Sequence, residues 1–283
     1  MTTKIHPTAV VAPGAELGND VVIGPHSVIG PRVKIGDGTV VGPQVVIDGV
    51  TVVGRENRFL GQASIGGDPQ DLSYEHEPTE LVMGDRNTVR EFVTVNRGTI
   101  KGGGVTRVGS GCLLMACSHV AHDCELGDGV LLGNNVLLAG HVAVEQGAIV
   151  NGAAAAHQFV TIGRNSYVGG LTRVIQDVPP FMILEGHPAR VRKVNVIGLE
   201  RAGIPIDEIH ALRRAFRRLF RGEETRAVAL AQLEAEPGGQ LVRELLTALR
   251  RTELGLKGRY RETLRAEYRQ RGEELLARAT GAR

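Results

Sequence analysis

The stretch Cys117-Ser-His-Val-Ala-His-Asp-Cys124 sets two histidines, His119 and His122, three positions apart and an acid, Asp123, directly after the second. A histidine beside a carboxylate is suited to general-base catalysis. The carboxylate holds one ring nitrogen, fixes the tautomer and stabilises the imidazolium that forms when the other nitrogen takes a proton. An unperturbed imidazole titrates near about 6.5, so it accepts a proton readily at neutral pH. Two other uses of the same residues stay open at this point: ligation of a metal ion by converging imidazoles, and plain surface exposure. Nothing in the sequence activates the flanking thiols of Cys117 and Cys124 as nucleophiles in preference to the histidine.

The elements that must position these residues come from a repeat. Apolar side chains fall every six positions at Leu17, Ile23, Ile29, Ile35, Val41, Ile47, Val53, Phe59 and Ile65, and again at Met83, Val89 and Val95. The period then runs from Val108 through Leu114, Val120, Leu126, Leu132, Leu138, Val144, Val150, Ala156, Ile162 and Val168 to Val174. One inward apolar residue and a turn-permitting residue per hexad describe a parallel β-helix, each hexad a short strand plus a corner and three hexads closing a triangular coil. A single coil cannot bury its own apolar residue, whereas stacked coils about 4.8 Å apart form a continuous apolar column. A narrow prism has little room for rings, which fits 4% aromatic residues, no Trp and 38 glycines. A sandwich would instead show a period of two over short runs. The expected fold class is an all-β, left-handed parallel β-helix over 1–187, with insertions near 66–82 and 97–106, followed by an α-helical domain over 188–283.

Coil arithmetic then gathers further histidines. His141 less one coil falls at 123, and His157 less two coils falls at 121, so both are expected near His122 at one corner. His119 lies half a hexad earlier, on the adjoining strand. His6, His26, His76, His187 and His210 read as surface or corner residues. Imidazoles converging from stacked coils resemble the zinc site of γ-class carbonic anhydrases, which keeps metal-dependent hydration open, although Asp123 favours the base and the expectation is no metal and no cofactor.

At 283 residues, 42% apolar and 23% charged, the chain has globular composition with enough apolar residues for a real core. A formal charge of +2 argues for neither nucleic acid nor membrane as a partner. No stretch reaches the roughly 20 apolar residues of a membrane span, and "MTTKIHPTAVV" lacks a signal-peptide pattern, so a cytoplasmic protein is expected. Cys112, Cys117 and Cys124 show no CxxC spacing and are expected to be small buried thiols. From Pro188 the pattern turns helical: "PIDEIHALRRAFRRLFRG" starts a helix at Pro205 to Asp207, places Ile209, Leu212, Ala215, Phe216 and Leu219 on one face and stops at Gly222. Further helical segments follow. Arg213, Arg214, Arg217, Arg218 and Arg221 form either a solvated face or a dock for an acidic partner.

The segments "ASIGGDPQDLSYEHEPT" (63–79), "GDRNTVREFVTVNRGT" (84–99), "GGGVTRVG" (102–109), "SHVAHDC" (118–124), "LAGHV" (138–142), "AAHQFVTIG" (155–163) and "QDVPPF" (176–181) carry a resemblance. Up to about residue 255 the chain resembles the acyl carrier protein-dependent UDP-N-acetylglucosamine O-acyltransferases of lipid A biosynthesis. The resemblance implies a homotrimer with sites in the clefts between prisms and a 3-hydroxyacyl donor held as a thioester on acyl carrier protein. It implies His122 as the base for the sugar 3-hydroxyl, Asp123 as its orienting acid and the Gly140 N–H as oxyanion donor. It further implies that His119, His141, His157 and Gln158 line the cleft, that Asp71 contacts the glucosamine, and that Asn195 and Arg201 contact the nucleotide. Gly170 falls where the family sets acyl chain length, and a glycine there leaves the groove open for a longer chain.

Three positions depart from the family pattern. Ser73 stands where a lysine is common, and Ile197 and Ala202 stand where some members have an acid and an arginine. The loss of a cation at the substrate-binding position 73 bears on nucleotide affinity and on the sugar accepted. An N-acyltransferase acting on a 3-amino UDP-sugar would need the same base and remains an alternative, as does the zinc-dependent γ-carbonic-anhydrase-like enzyme. The tail from about 256 reads as one more basic amphipathic helix, packed on the base of the trimer or added to the carrier-protein dock.

Overall fold

The computed structural model describes residues 2–280. Between Lys4 and Val194 the chain forms short strands, most of them two residues long, wound into three sheets of eleven, nine and eight strands among the described residues. All neighbours pair in parallel except Arg190–Val194, which turns back antiparallel on Met182–Glu185. Uninterrupted partners lie one coil of 18 residues apart, as in Leu131↔Ile149↔Tyr167. This is the expected left-handed parallel β-helix with three strands per coil.

Two buried columns hold the coils together. The expected one is present in full, and only Leu17 in the first coils is less than buried. A second runs two positions ahead of it in every hexad and takes smaller residues, among them Val21, Val33, Val45, Val130, Val136 and Ala148. Where that column is polar it forms ladders along the axis: the side-chain oxygen of Asn57 accepts from the Asn87 N–H at 2.9 Å, and that of Asn87 from the Cys112 N–H at 2.7 Å. Cys112 and Cys124 belong to this column. Burial pushes their thiols up to about 11 and about 12, and Cys124 Sγ donates to the Ala139 carbonyl at 3.2 Å. Cys117 departs from the expectation, for it sits exposed at a corner with φ 61°. Corners recur with left-handed backbone at the same phase of successive coils, as at Cys117, Asn135 and Ala153 and at Asp123, His141 and Phe159.

Both insertions leave the prism on the edge between the nine- and eight-stranded sheets. The first spans 68–79, and the second spans 97–104 with a short 3-10 turn at Ile100–Gly102. Arg97, buried, ties them together through the Gly66 carbonyl, Asp68 and the Tyr74 hydroxyl at 2.9 Å.

The expected division at 187/188 falls in the turn between the last two strands, so the sheet runs on to Val194 before the helices begin. The helices are α1 (Val196–Arg201), α2 (Ile206–Arg221), α3 (Arg226–Ala235), α4 (Gln240–Leu254) and α5 (Arg265–Thr280). Helix α2 starts after Pro205, ends at Gly222 and buries the five residues read from its periodicity. Its apolar face joins a second core with Phe181, Met182, Leu230, Leu245 and Leu246. Of its arginines, Arg218 is paired with Glu236 at 2.8 Å, while Arg213, Arg214, Arg217 and Arg221 are exposed.

Candidate active site

The corner after strand His119–Val120 brings His122 and Asp123 together. His122 Nδ1 lies 2.7 Å from Asp123 Oδ2, both side chains buried. Asp123 is held from the insertion as well: its Oδ1 accepts from the Thr99 N–H at 2.8 Å and its Oδ2 from Thr99 Oγ1 at 2.7 Å. A carboxylate that accepts on both oxygens draws the Nδ1 proton of His122 towards itself, which leaves the Nε2 lone pair available. Gly102 closes over the same carboxylate, where a Cβ would fall 1.9 Å from Asp123 Cγ. Gly140 flanks the His122 ring so tightly that a Cβ would lie 2.5 Å from its Cε1, and among the described residues the Gly140 N–H finds no acceptor.

The stack above this corner is Asp123, His141, Phe159. His141 N–H donates to the His122 carbonyl at 3.0 Å, and its Nδ1 stands 3.7 Å from Asp123 Oδ2. Its ring meets that of His122 edge to face at 5.1 Å and lies flat on Phe159 at 4.2 Å. Burial pushes His141 down to about 4, against the pull of Asp123 and with help from His122, Arg261 and Arg265. His141 is therefore neutral beside His122 at neutral pH. His119, on the outer face of the nine-stranded sheet, pairs its Nδ1 with Thr94 Oγ1 at 2.7 Å, and burial lowers it, with His122 adding to the shift.

The remaining expected residues divide. His157 and Gln158 are exposed in the coil of Phe159, and it is Phe159 rather than His157 that sits over His141. Coil arithmetic from Asp123 through His141 would have found Phe159; Thr99 and Arg97 carry no such signal. Asp71 Oδ1 accepts from the Ser73 N–H at 2.9 Å and from Ser73 Oγ at 2.8 Å, and the backbone bond is the chief reason its carboxyl is held low. A cation reaches position 73 from the other insertion: Lys101 Nζ meets Ser73 Oγ and stands 3.8 Å from Asp71 Oδ2. Asn195 is buried and committed, accepting from Gly198 N at 3.3 Å as the cap of α1 and donating to the Asn165 carbonyl at 2.9 Å. Arg201, Ile197 and Ala202 are exposed on or beside α1, a helix the hexad and helix patterns did not reveal. Gly170 is exposed, and a Cβ there would come 3.1 Å from the Gly152 carbonyl. Exposed His6, His26, His76, His187 and His210 take no part in the cluster.

Donor atoms of His122, Asp123 and His141 lie within 4.8 Å of one another. A cation would have to compete there with the two donors that already occupy Asp123 Oδ2.

Residues 177–257 match the family described as UDP N-acetylglucosamine O-acyltransferase, domain 2, and residues 2–31, 14–49 and 106–140 match the bacterial transferase hexapeptide family. The acyl-[acyl-carrier-protein]--UDP-N-acetylglucosamine O-acyltransferase of Anaeromyxobacter sp. (strain Fw109-5) is 53% identical over 234 residues, covering 83% of this chain and 91% of that one. The chain belongs to the UDP-N-acetylglucosamine O-acyltransferase family. The member from Burkholderia orbicola (strain MC0-3) is 52% identical over 239 residues, 84% of this chain and 91% of that one. Among solved structures of the family, the UDP-N-acetylglucosamine acyltransferase of Campylobacter jejuni superposes with a TM-score of 0.82 at 38% identity, covering 87% of this chain and 96% of that one. That of Francisella novicida gives 0.82 at 31% identity, over 87% and 90%.

Proposed function

We propose that this protein transfers a 3-hydroxyacyl chain from the thioester of acyl carrier protein to the 3-hydroxyl of UDP-N-acetylglucosamine, the first step of lipid A biosynthesis. One observation carries the residue assignment: the 2.7 Å pairing of His122 Nδ1 with Asp123, beside a Gly140 N–H that has no acceptor among the described residues. His122 Nε2 takes the proton of the sugar hydroxyl as its oxygen attacks the thioester carbonyl. The charge that develops on the carbonyl oxygen is met by the Gly140 N–H. Collapse of the tetrahedral intermediate breaks the carbon–sulfur bond, and the imidazolium returns its proton to the departing thiolate, leaving an ester and a thiol. Asp71 and Ser73 with Lys101, together with His119, His141, His157 and Gln158, are read as the walls that hold the sugar. Asn195 and Arg201 are read as nucleotide contacts, which for Asn195 would run through a side chain that already caps α1. Gly170 is read as the chain-length position.

Acyl carrier protein is acidic in this reading, and the exposed arginines of α2 suit its docking. The homotrimer is supported by the outer face of the nine-stranded sheet, which exposes Val10, Val28 and Val46 on three successive strands and Leu137 further along. Among the described residues no helix is long and apolar enough to cross a membrane. Both substrates of the proposed reaction are water-soluble, which supports a cytoplasmic enzyme.

The test is acyl transfer by metal-stripped protein from hydroxyacyl carrier proteins of graded length to UDP-N-acetylglucosamine, with His122→Ala alongside. Transfer should fall by about a hundredfold or more in the variant, the scale of a lost general base. Transfer only to a 3-amino sugar nucleotide would sink the O-acyl reading, and activity that returns only with zinc would sink the base assignment.

A further inference from the structure

We propose that the segment Gly258–Thr280 is a strap that clamps the His122–Asp123–His141 corner from outside, with Arg261 and Arg265 as positioning residues. The inference rests on the function just assigned. The strap lies beyond the segment 177–257 that matches the family's helical domain.

Its root is fixed to the last coil. The Asp177 N–H donates to the Gly258 carbonyl at 2.8 Å, Asp177 Oδ2 accepts from the Tyr260 N–H at 2.9 Å, and buried Arg259 donates to the Ile175 carbonyl at 3.2 Å. Its middle reaches the reacting corner. Arg261 donates through Nε to the His141 carbonyl at 3.1 Å and through its two other nitrogens to Glu125 at 3.0 and 3.2 Å. Arg265, itself paired with Glu262 at 2.9 Å, lays its guanidinium 4.2 Å from the centre of the Phe159 ring, on the column that runs through His141 to Asp123. A cation over a ring face is attracted by the ring's quadrupole.

The far end of the strap grips the second insertion. Helix α5 crosses the turn Ile100–Gly102 so closely that a Cβ on Gly272 would fall 1.9 Å from the Ile100 carbonyl oxygen, and Leu275 packs at Gly104. That turn follows Thr99, whose N–H and hydroxyl hold Asp123. One element thus presses on both supports of the carboxylate, His141 from the side of the prism and Thr99 from the side of the insertion. Arg261 binds Glu125, on the eight-stranded sheet, so the strap leaves the apolar face of the nine-stranded sheet uncovered.

The experiment uses the full chain and two variants, the double substitution Arg261→Gln with Arg265→Gln, and Gly272→Val, which keeps both arginines and prevents α5 from seating. Both are expected to lower kcat by about tenfold, the scale of a lost orientation, with KM for the sugar nucleotide within about twofold. Proton NMR of the imidazoles, recorded without substrate, should show His141 titrating higher in the double variant, because two cations that face it are gone while Asp123 and His122 remain. Unchanged kcat with an unchanged His141 titration overturns the strap, and so does a rise in KM alone, which would make these arginines substrate contacts. A wild-type chain that transfers no acyl group would overturn the function assigned above; the His141 titration would still decide the strap.

Discussion

At the corner where His122, Gly140 and His141 meet, each side chain is explained by the space and charge around it. A methyl group at 140 would displace the His122 ring, so glycine is required by packing before any catalytic role is considered. His141 is neutral because the same packing removes it from water. That has a thermodynamic consequence. The native imidazole is held near about 4 while the unfolded one titrates near about 6.5, so the unfolded chain binds the proton more readily between those values. The contribution is fully present above pH 6.5 or so and is lost as pH falls towards about 4, at most about 3 kcal/mol. Urea unfolding of wild type and His141→Asn at neutral pH and near pH 4 checks this. Asn tolerates the left-handed backbone at 141, so the variant should fold and show a flatter fall in stability on acidification. Equal slopes would remove His141 from the account.

Among the elements, the coils owe their stability to columns whose members merge into one continuous buried core along the prism. Leu132 is fully buried in the middle of the first column, so Leu132→Ala should lower the free energy of unfolding by about 2–5 kcal/mol, measured by denaturant titration. A loss below about 1 kcal/mol would mean that the column collapses around the gap, as loosely packed sites can. The first column was legible because a strand of two residues leaves one inward apolar side chain per hexad, a pattern that survives any amount of local variation. The second was hidden, because Val, Ala, Ser, Thr, Asn and Cys all fit it and share no property but size. The ends of α2 were legible from Pro205 and Gly222, whereas α1 is too short, with Gly198 inside it, to show a period. Of the site, His122, Asp123 and His141 followed from motif and coil arithmetic. Thr99, Arg97 and Lys101 did not, because Thr99 meets Asp123 only when the second insertion folds onto the prism, and Arg97 and Lys101 meet Asp68 and Asp71 only when the two insertions fold against each other.

For the whole molecule, the three faces of the prism are unequal. The strap crosses the eight-stranded face at Glu125, while the nine-stranded face exposes Val10, Val28 and Val46 on successive strands at 39% to 58%. Light scattering should give three times the 30.2 kDa chain mass, and Val28→Glu with Val46→Glu should give a folded monomer with unchanged far-ultraviolet circular dichroism. A wild-type monomer would refute the trimer. The left-handed corners carry a last consequence. Cys117, Asn135 and Ala153 turn the chain with φ angles of 57° to 61°, and Asp123, His141 and Phe159 do so with 60° to 65°. The corner at His122 and Asp123 therefore has no backbone of its own. It is one socket in a rack of equivalent sockets, set apart only by its side chains and by what leans on it. A designer seeking a second such centre would find the frame already built one corner away, and would need to supply the braces.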